Sequence, residues 1–295
     1  MIKEGLSLRE QLKELLQTRI EQYISSDERR AEQTDEKPLR KKQLLQKREA
    51  DIVRVHAAGK VHSLFYDRQD TVLAYQVHLQ CLIKQGDTFF IEEEIEEREA
   101  RFQNGLIVND YEVELISEDT FLPEQRVEDV QRITYTYDRR KAVQYAERWW
   151  NEFNPAYNKF ADDCTNYISQ CLHAGNIPMW GSPNRTKGWW MGGKSWSYSW
   201  TSAHGFYRLL AVGKGIRTQA VTYAQELNLG DIICIDFEGD GRFDHSLIVT
   251  AKDIYGMPLV NAHTVNSRRR YWTYEDSTRY TPNIVYKFFR ILDGR

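Results

Sequence analysis

The apolar positions of the chain change their period as it runs. Over residues 7–25 they recur at helical spacing, with Leu8, Leu12, Leu15, Leu16, Ile20, Tyr23 and Ile24 on one side. A polar stretch from Asp27 to Pro38 follows. It leads into a second predicted helix over 39–56, with Leu44, Leu45, Ile52, Val53 and Val55 as its apolar face and Gly59 as its stop. The period then becomes two: Leu73, Tyr75, Val77, Leu79, Cys81 and Ile83 share one side of a strand, and Gln76, His78 and Gln80 the other. Lys84 to Asp87 reads as a turn, 89–97 as a strand, Asn104-Gly105 as a hairpin turn and 106–116 as another strand. Helices followed by an antiparallel sheet predict an α+β domain. His56, His62 and His78 read there as surface or sheet residues, and the run IEEEIEEREA as a solvated strand face.

Near Tyr135 the composition shifts. Trp149, Trp150, Trp180, Trp189, Trp190, Trp196, Trp200 and Trp272 all lie beyond it, and they are all the tryptophans of the chain. A helix is predicted over 138–153, ended by Asn154-Pro155. The next starts at Asp162 or Asp163, either of which can cap it, and carries Cys164, Ile168, Cys171 and Leu172 on one face before Gly175 stops it. A loop rich in Trp, Gly and Ser covers 177–200, and a helix follows over 202–212. Strands are expected over 231–237, 244–250, 259–264 and 284–291, the first two joined by a hairpin through 238–242. The chain therefore divides into two expected domains: 1–134, helical plus antiparallel β, and 135–295, helices packed on an antiparallel sheet. A length of 295 residues fits two domains.

Charge follows the same division. Residues 1–135 carry 20 Lys+Arg against 28 Asp+Glu, a balance of −8, and the rest 20 against 15, a balance of +5. A basic half favours an anionic polymer only through its long-range field. No nucleic-acid motif accompanies it, and none is expected as a partner. No apolar run approaches a membrane span of about 18 residues, so no span is expected. The opening Met-Ile-Lys-Glu-Gly-Leu lacks a basic stretch followed by an apolar core. The default expectation is the cytoplasm, with association with a spore or cell wall as the route to an outside substrate.

Amide cleavage by cysteine needs a thiolate, which a helix N-terminus and an adjacent imidazolium both favour. Cys164 stands where the pattern places a helix N-terminus, and the N–H groups there can stabilise an oxyanion. His245 opens a strand about 80 residues later, directly after a turn, and His263 lies on the next strand, from which an antiparallel neighbour could orient the ring of His245. Asn261 shares the strand of His263, and Asn266 follows closely.

The segments NPAYNKFADDCTNYISQCLHAG, LGDIICIDFEGDGRFDHSLIVT and LVNAHT, in that order, resemble the putative amidase domain family, a relative of the NlpC-type and CHAP-type peptidoglycan hydrolases. The resemblance covers about 135–295. It implies a papain-like fold and hydrolysis of an amide in peptidoglycan peptide or a related substrate. Carried over residue by residue, it makes Cys164 the nucleophile, His245 the base and His263 the orienting third residue. Asp163 would then help bind a substrate amine, beside its ordinary reading as a helix cap. Tyr157 is a further substrate-binding candidate, and Trp189 and Trp190 would line a groove for sugar or peptide, unless the Trp-rich loop packs as a lid or small core. No cofactor and no metal is expected.

Other patterns give way on context. Gly188 to Ser195 matches the phosphate-loop pattern, but PMWGSPNRTK before it is no strand. Asp236, Glu238, Asp240 and Gly241 begin like a calcium loop, but position twelve is Leu247, and a hairpin turn explains the run better. Cys81, Cys171 and Cys234 read as free core thiols. On one helix, Cys164 and Cys171 would stand about 10 Å apart, too far for a disulfide. The competing functional class is a non-catalytic cell-wall or peptide-binding module that keeps the hydrolase fold.

Overall fold

The computed structural model describes residues 6–25, 36–113 and 133–294. The chain forms two compact units: Met1–Glu114 together with Tyr274–Thr278, and Leu115–Thr273 together with Arg279–Arg295. Most of the polar stretch read from Asp27, the strand end read at Ile116 and residues 114–132 before the expected boundary lie outside the described residues.

The first unit opens with helix α1 (Leu8–Ile24), started by a reciprocal capping box between Ser7 and Glu10. Helix α2 is shorter than its periodicity suggested: it ends at Gln46 (Lys37–Gln46), and the chain turns through Glu49 at φ +53° into an 18-residue strand β1 (Ala50–Asp67). Ile52, Val53 and Val55, read as a helical face, are β-branched residues of this strand; Ile52 and Val55 pair with β2 (Asp70–Gln85), and Val53 sits at a register shift between them. With β3 (Thr88–Gln103) and β4 (Leu106–Glu112), they form an antiparallel sheet in the order β1-β2-β3-β4. Leu12, Tyr23 and Leu45 of the helices pack on Leu73, Tyr75, Val77, Leu79 and Ile83 of β2.

The acidic run on β3 is not a solvated face. Glu92, Glu94 and Glu96 are buried, and each meets a cation. Lys37 Nζ lies 2.5, 2.9 and 3.0 Å from Glu94, Glu96 and Glu112, filling the space those carboxylates enclose. Arg19 binds Glu96 through both guanidinium ends, at 2.6 and 2.9 Å. Burial pushes the Glu96 carboxyl up, but Arg19, Lys37 and Arg98 outweigh it and hold it well below the usual range. Lys41 pairs with Glu92 and, at 3.0 Å, with Asp276, a residue of the short C-terminal segment that belongs to this unit.

The second unit begins with α3 (Arg139–Trp149) and α4 (Cys164–Ala174). A two-residue hairpin, β5 (Met191–Gly192) and β6 (Ser195–Trp196), occupies the phosphate-loop match, where Gly188 at φ +72° leaves no room for a side chain against the Trp180 carbonyl. Helices α5 (Tyr198–Thr201) and α6 (Ala203–Val212) follow. Strands β7 (Thr218–Val221), β8 (Ile232–Asp236), β9 (His245–Lys252), β10 (Pro258–Ala262), β11 (Ser267–Tyr271) and β12 (Val285–Ile291) pair antiparallel in the order β11-β10-β9-β8-β12-β7. Alternation along the strands puts Ile232, Cys234 and Ile248 on the face that packs against Ile168, Cys171 and Leu172 of α4. Both units are thus mixtures of helix and antiparallel sheet, the α+β class. Among the described residues, no helix is long and apolar enough to cross a membrane.

Candidate active site

Cys164 is the first residue of α4 and is 1 % exposed. Its N-terminus is not capped by the preceding acid. Thr264, in the turn after β10, does that work from another part of the chain. Its Oγ1 accepts from the backbone N–H groups of Asp163 and Cys164 at 3.2 and 3.1 Å, and it donates to Asp162 Oδ1 at 2.9 Å. The same Asp162 oxygen accepts from the Cys164 thiol at 3.5 Å. The sulfur also lies 3.6 Å from Thr165 Oγ1 and 3.9 Å from the Asp244 carbonyl oxygen. Burial pushes the thiol well above its ordinary range, and the Asp162 charge adds to this. The resting sulfur is therefore a protonated thiol, not the thiolate that a free helix N-terminus would favour.

His245 opens β9 as expected, but its ring is not among the sulfur's hydrogen-bonding partners in the described residues. Strand alternation gives the reason. The next residue, Ser246, faces α4 and meets Thr165 Oγ1 at 3.2 Å, so His245 takes the opposite face, with its ring 6.1 Å from that of Phe237. Burial holds this imidazole down to about 3, and Arg279 and Arg270 add to the effect. The ring is neutral at ordinary pH.

His263 does not orient His245. Its Nδ1 lies 2.7 Å from Asp163 Oδ2 and its Nε2 2.7 Å from the Trp149 carbonyl, and its ring stacks on Tyr167 with centroids 4.0 Å apart. Both ring nitrogens are taken. Asn261 is engaged as well, with Thr250, the Arg269 amide and Glu147.

The substrate-binding candidates fare differently from their expected roles. Asp163 neither caps α4 through its side chain nor faces solvent: it is 2 % exposed, and its other oxygen accepts from Phe160 N and Asn166 Nδ2. Trp189 and Trp190 do not line a groove. Trp189 is fully buried, donates to Ser169 Oγ at 3.0 Å and packs against Trp200 with ring centroids 4.6 Å apart. Trp190 is buried too and donates to the carbonyls of Asn184 and Lys187. An indole in a loop gains more from burial with a satisfied N–H than from exposure, and the Trp-rich loop folds as a core extension. Tyr157 is half-buried and stacks on Trp200.

The residues around the sulfur that the motifs did not single out for chemistry are Asp162, expected only as a helix cap, and Thr165, Ser246 and Thr264. Thr264 was in view as the last letter of AHT, read only for its histidine. Asp236, Glu238 and Asp244 bring carboxylate oxygens within 4.8 Å of one another. Those of Asp236 accept from the amides of Gly239, Asp240 and Gly241, and one of Asp244 accepts from Phe237 N, so this is the hydrogen bonding of a turn.

Fold and site together define an α+β domain that presents a buried cysteine at the N-terminus of a helix laid on an antiparallel sheet. The chain belongs to the family described as "Putative amidase domain", whose family model matches residues 136–289. It is 46 % identical to the uncharacterized protein YhbB of Bacillus subtilis (strain 168), over 98 % of this chain and 97 % of that one. It is also 33 % identical to the uncharacterized protein YjcM of the same strain, over 39 % of this chain and 28 % of that one. No solved structure matches the chain at a significant level.

Proposed function

We propose that the chain is a cysteine-dependent amide hydrolase of papain-like type, acting on peptide amides of peptidoglycan or on a related amide. The observation that carries this reading is the position of Cys164, first residue of a buried helix inside the family match, with its sulfur against the residue that precedes His245. In the reaction the sulfur adds to the carbonyl carbon and its proton passes to a base. The C–N bond breaks, the amine leaves with a proton, and water releases the acyl group as a carboxylic acid. His245 is assigned the base. Its ring is neutral, the form that accepts a proton, and the assignment requires an engaged state in which the ring turns across the end of β9 to the sulfur.

One observation favours a second reading, a cell-wall or peptide-binding module. The sulfur is buried and protonated, and His245 sits on the other strand face. Incubating the purified protein with defined peptidoglycan fragments and reading the products by mass spectrometry separates the two. Hydrolysis that disappears in Cys164→Ala supports the amidase. Binding without any product, in wild type and variant alike, leaves the module.

A further inference from the structure

Thr264 occupies an unusual place. Its backbone is at φ +81°, a conformation that a β-branched residue rarely adopts. Strain of that kind persists only where surrounding contacts over-determine it. Those contacts are its hydroxyl bonds, which use the whole capacity of the group: two acceptances, from Asp163 N and Cys164 N, and one donation, to Asp162. The Cys164 N–H is also the donor that a tetrahedral intermediate on this sulfur would use, because the oxyanion forms one bond away from the attacking atom. Thr264 thus occupies, in the resting protein, the N–H group that such an oxyanion would need. It also fixes Asp162, whose other contact at the same oxygen is the thiol.

We propose that Thr264 is a positioning residue that latches the nucleophile: its hydroxyl blocks the N–H groups at the start of α4 and pins Asp162 against the Cys164 thiol, and the carbonyl oxygen of an arriving amide displaces it. This rests on Cys164 as the nucleophile. Asp162 is the charge that faces the thiol. The Asp163 carboxylate is turned to His263, that of Asp244 accepts from Phe237 N, and His245 stands on the far strand face. Thr264 and Asp162 are both half-buried, so the latch is within reach of a ligand from solvent. When Thr264 swings away, Asp162 loses its donor and turns to water. Moving that negative charge away from the sulfur favours the thiolate.

The test is the pH profile of Cys164 alkylation by iodoacetamide in the full chain, read by peptide mass spectrometry. Thr264→Val keeps the shape and removes the hydroxyl. It should speed labelling at pH 7 about tenfold, the change that one net hydrogen bond is worth, and shift the profile to lower pH. Thr264→Ser restores the hydroxyl and should restore the slow rate. Asp162→Asn, which leaves Thr264 in place, should also speed labelling, and it decides the matter if circular dichroism shows Thr264→Val to be unfolded. A folded Thr264→Val, or in its place Asp162→Asn, that labels at the wild-type rate overturns the latch. Hydrolysis of wall fragments is scored separately. Faster labelling without product from any form keeps the hold of Thr264 on the thiol but sinks the amidase, and with it the displacement by substrate, whereas hydrolysis with unchanged labelling keeps the amidase and overturns the latch.

Discussion

The Nδ1 atom of His263 lies 2.7 Å from a carboxylate oxygen of Asp163, with both side chains at most 3 % exposed. The other ring nitrogen faces the Trp149 carbonyl, also at 2.7 Å. Both ring nitrogens thus have an oxygen partner within hydrogen-bonding distance. The pair ties the turn after β10 to the start of α4 and so sets where Cys164 and Thr264 meet. Removing one partner from such a buried pair costs about 3–5 kcal/mol. Asp163→Ala should therefore lower the stability in urea by about that much. A double-mutant cycle with His263→Ala should return a coupling above about 1 kcal/mol. Additive losses would show that the two act independently.

The tryptophans give the second prediction. A groove residue truncated to alanine weakens binding and leaves the fold alone, whereas a core residue does the opposite. Trp189 is fully buried between Trp180 and Trp200 with its N–H satisfied by Ser169. Trp189→Ala should cost about 3–5 kcal/mol in chemical denaturation. A stable variant with weakened fragment binding would restore the groove.

The sequence told which residues would sit on which element better than it told what they would touch. The helix expected over 138–153, which ends four residues early at Trp149, the helix starting at Cys164 and the strand expected from 244, which starts at His245, were all legible, because apolar period, caps and turn residues are local signals. The β1 strand was not. Residues 50–56 satisfy a helical period, and only pairing with β2, from Ala50 with Gln85 to His56 with Gln80, decides for a strand. The contacts of the candidate site were hidden for the same reason. A triad drawn from Cys164, His245 and His263 names three correct element ends, but the one-residue alternation that turns Ser246 towards α4 turns His245 away. Whether Asp163 meets solvent or His263 depends on contacts 100 residues apart, which no local spacing encodes.

Burial of His245 has a consequence for acid stability. The unfolded chain takes a proton on this ring near 6.5, but the folded one only near 3. The folded pKa is depressed, so stability is lost as pH falls from about 6.5 towards 3. At pH 4.5 the difference of about two units corresponds to roughly 3 kcal/mol. In His245→Gln this slope should be absent: measured by urea unfolding at pH 7 and 4.5, the variant should lose less stability on acidification than the wild type. Equal losses would mean that the ring reaches water.

Asp244 carries the opposite sign. Burial raises its carboxyl from 3.8 to about 6, with neighbouring Glu238 adding to the rise and Arg279 opposing it. Glu238 and Asp244 each stand 3.9 Å from Arg279, so one cation serves two acids. A raised folded value means that the folded protein holds this proton more tightly than the unfolded chain. Stability contributed by Asp244 is then present below about pH 4 and declines as pH rises through 6, above which the charged form bears its full penalty. After allowance for partial exposure and the screening of Arg279, the penalty is on the order of 1 kcal/mol. Asp244→Asn removes the charge and keeps an oxygen to accept the Phe237 amide. The variant should match the wild type at pH 4 and be more stable by about that amount at pH 7.5, by urea midpoint at constant m-value. A variant less stable at pH 7.5 would show that the Asp244 charge is a needed partner of Arg279 and not a burden on the turn.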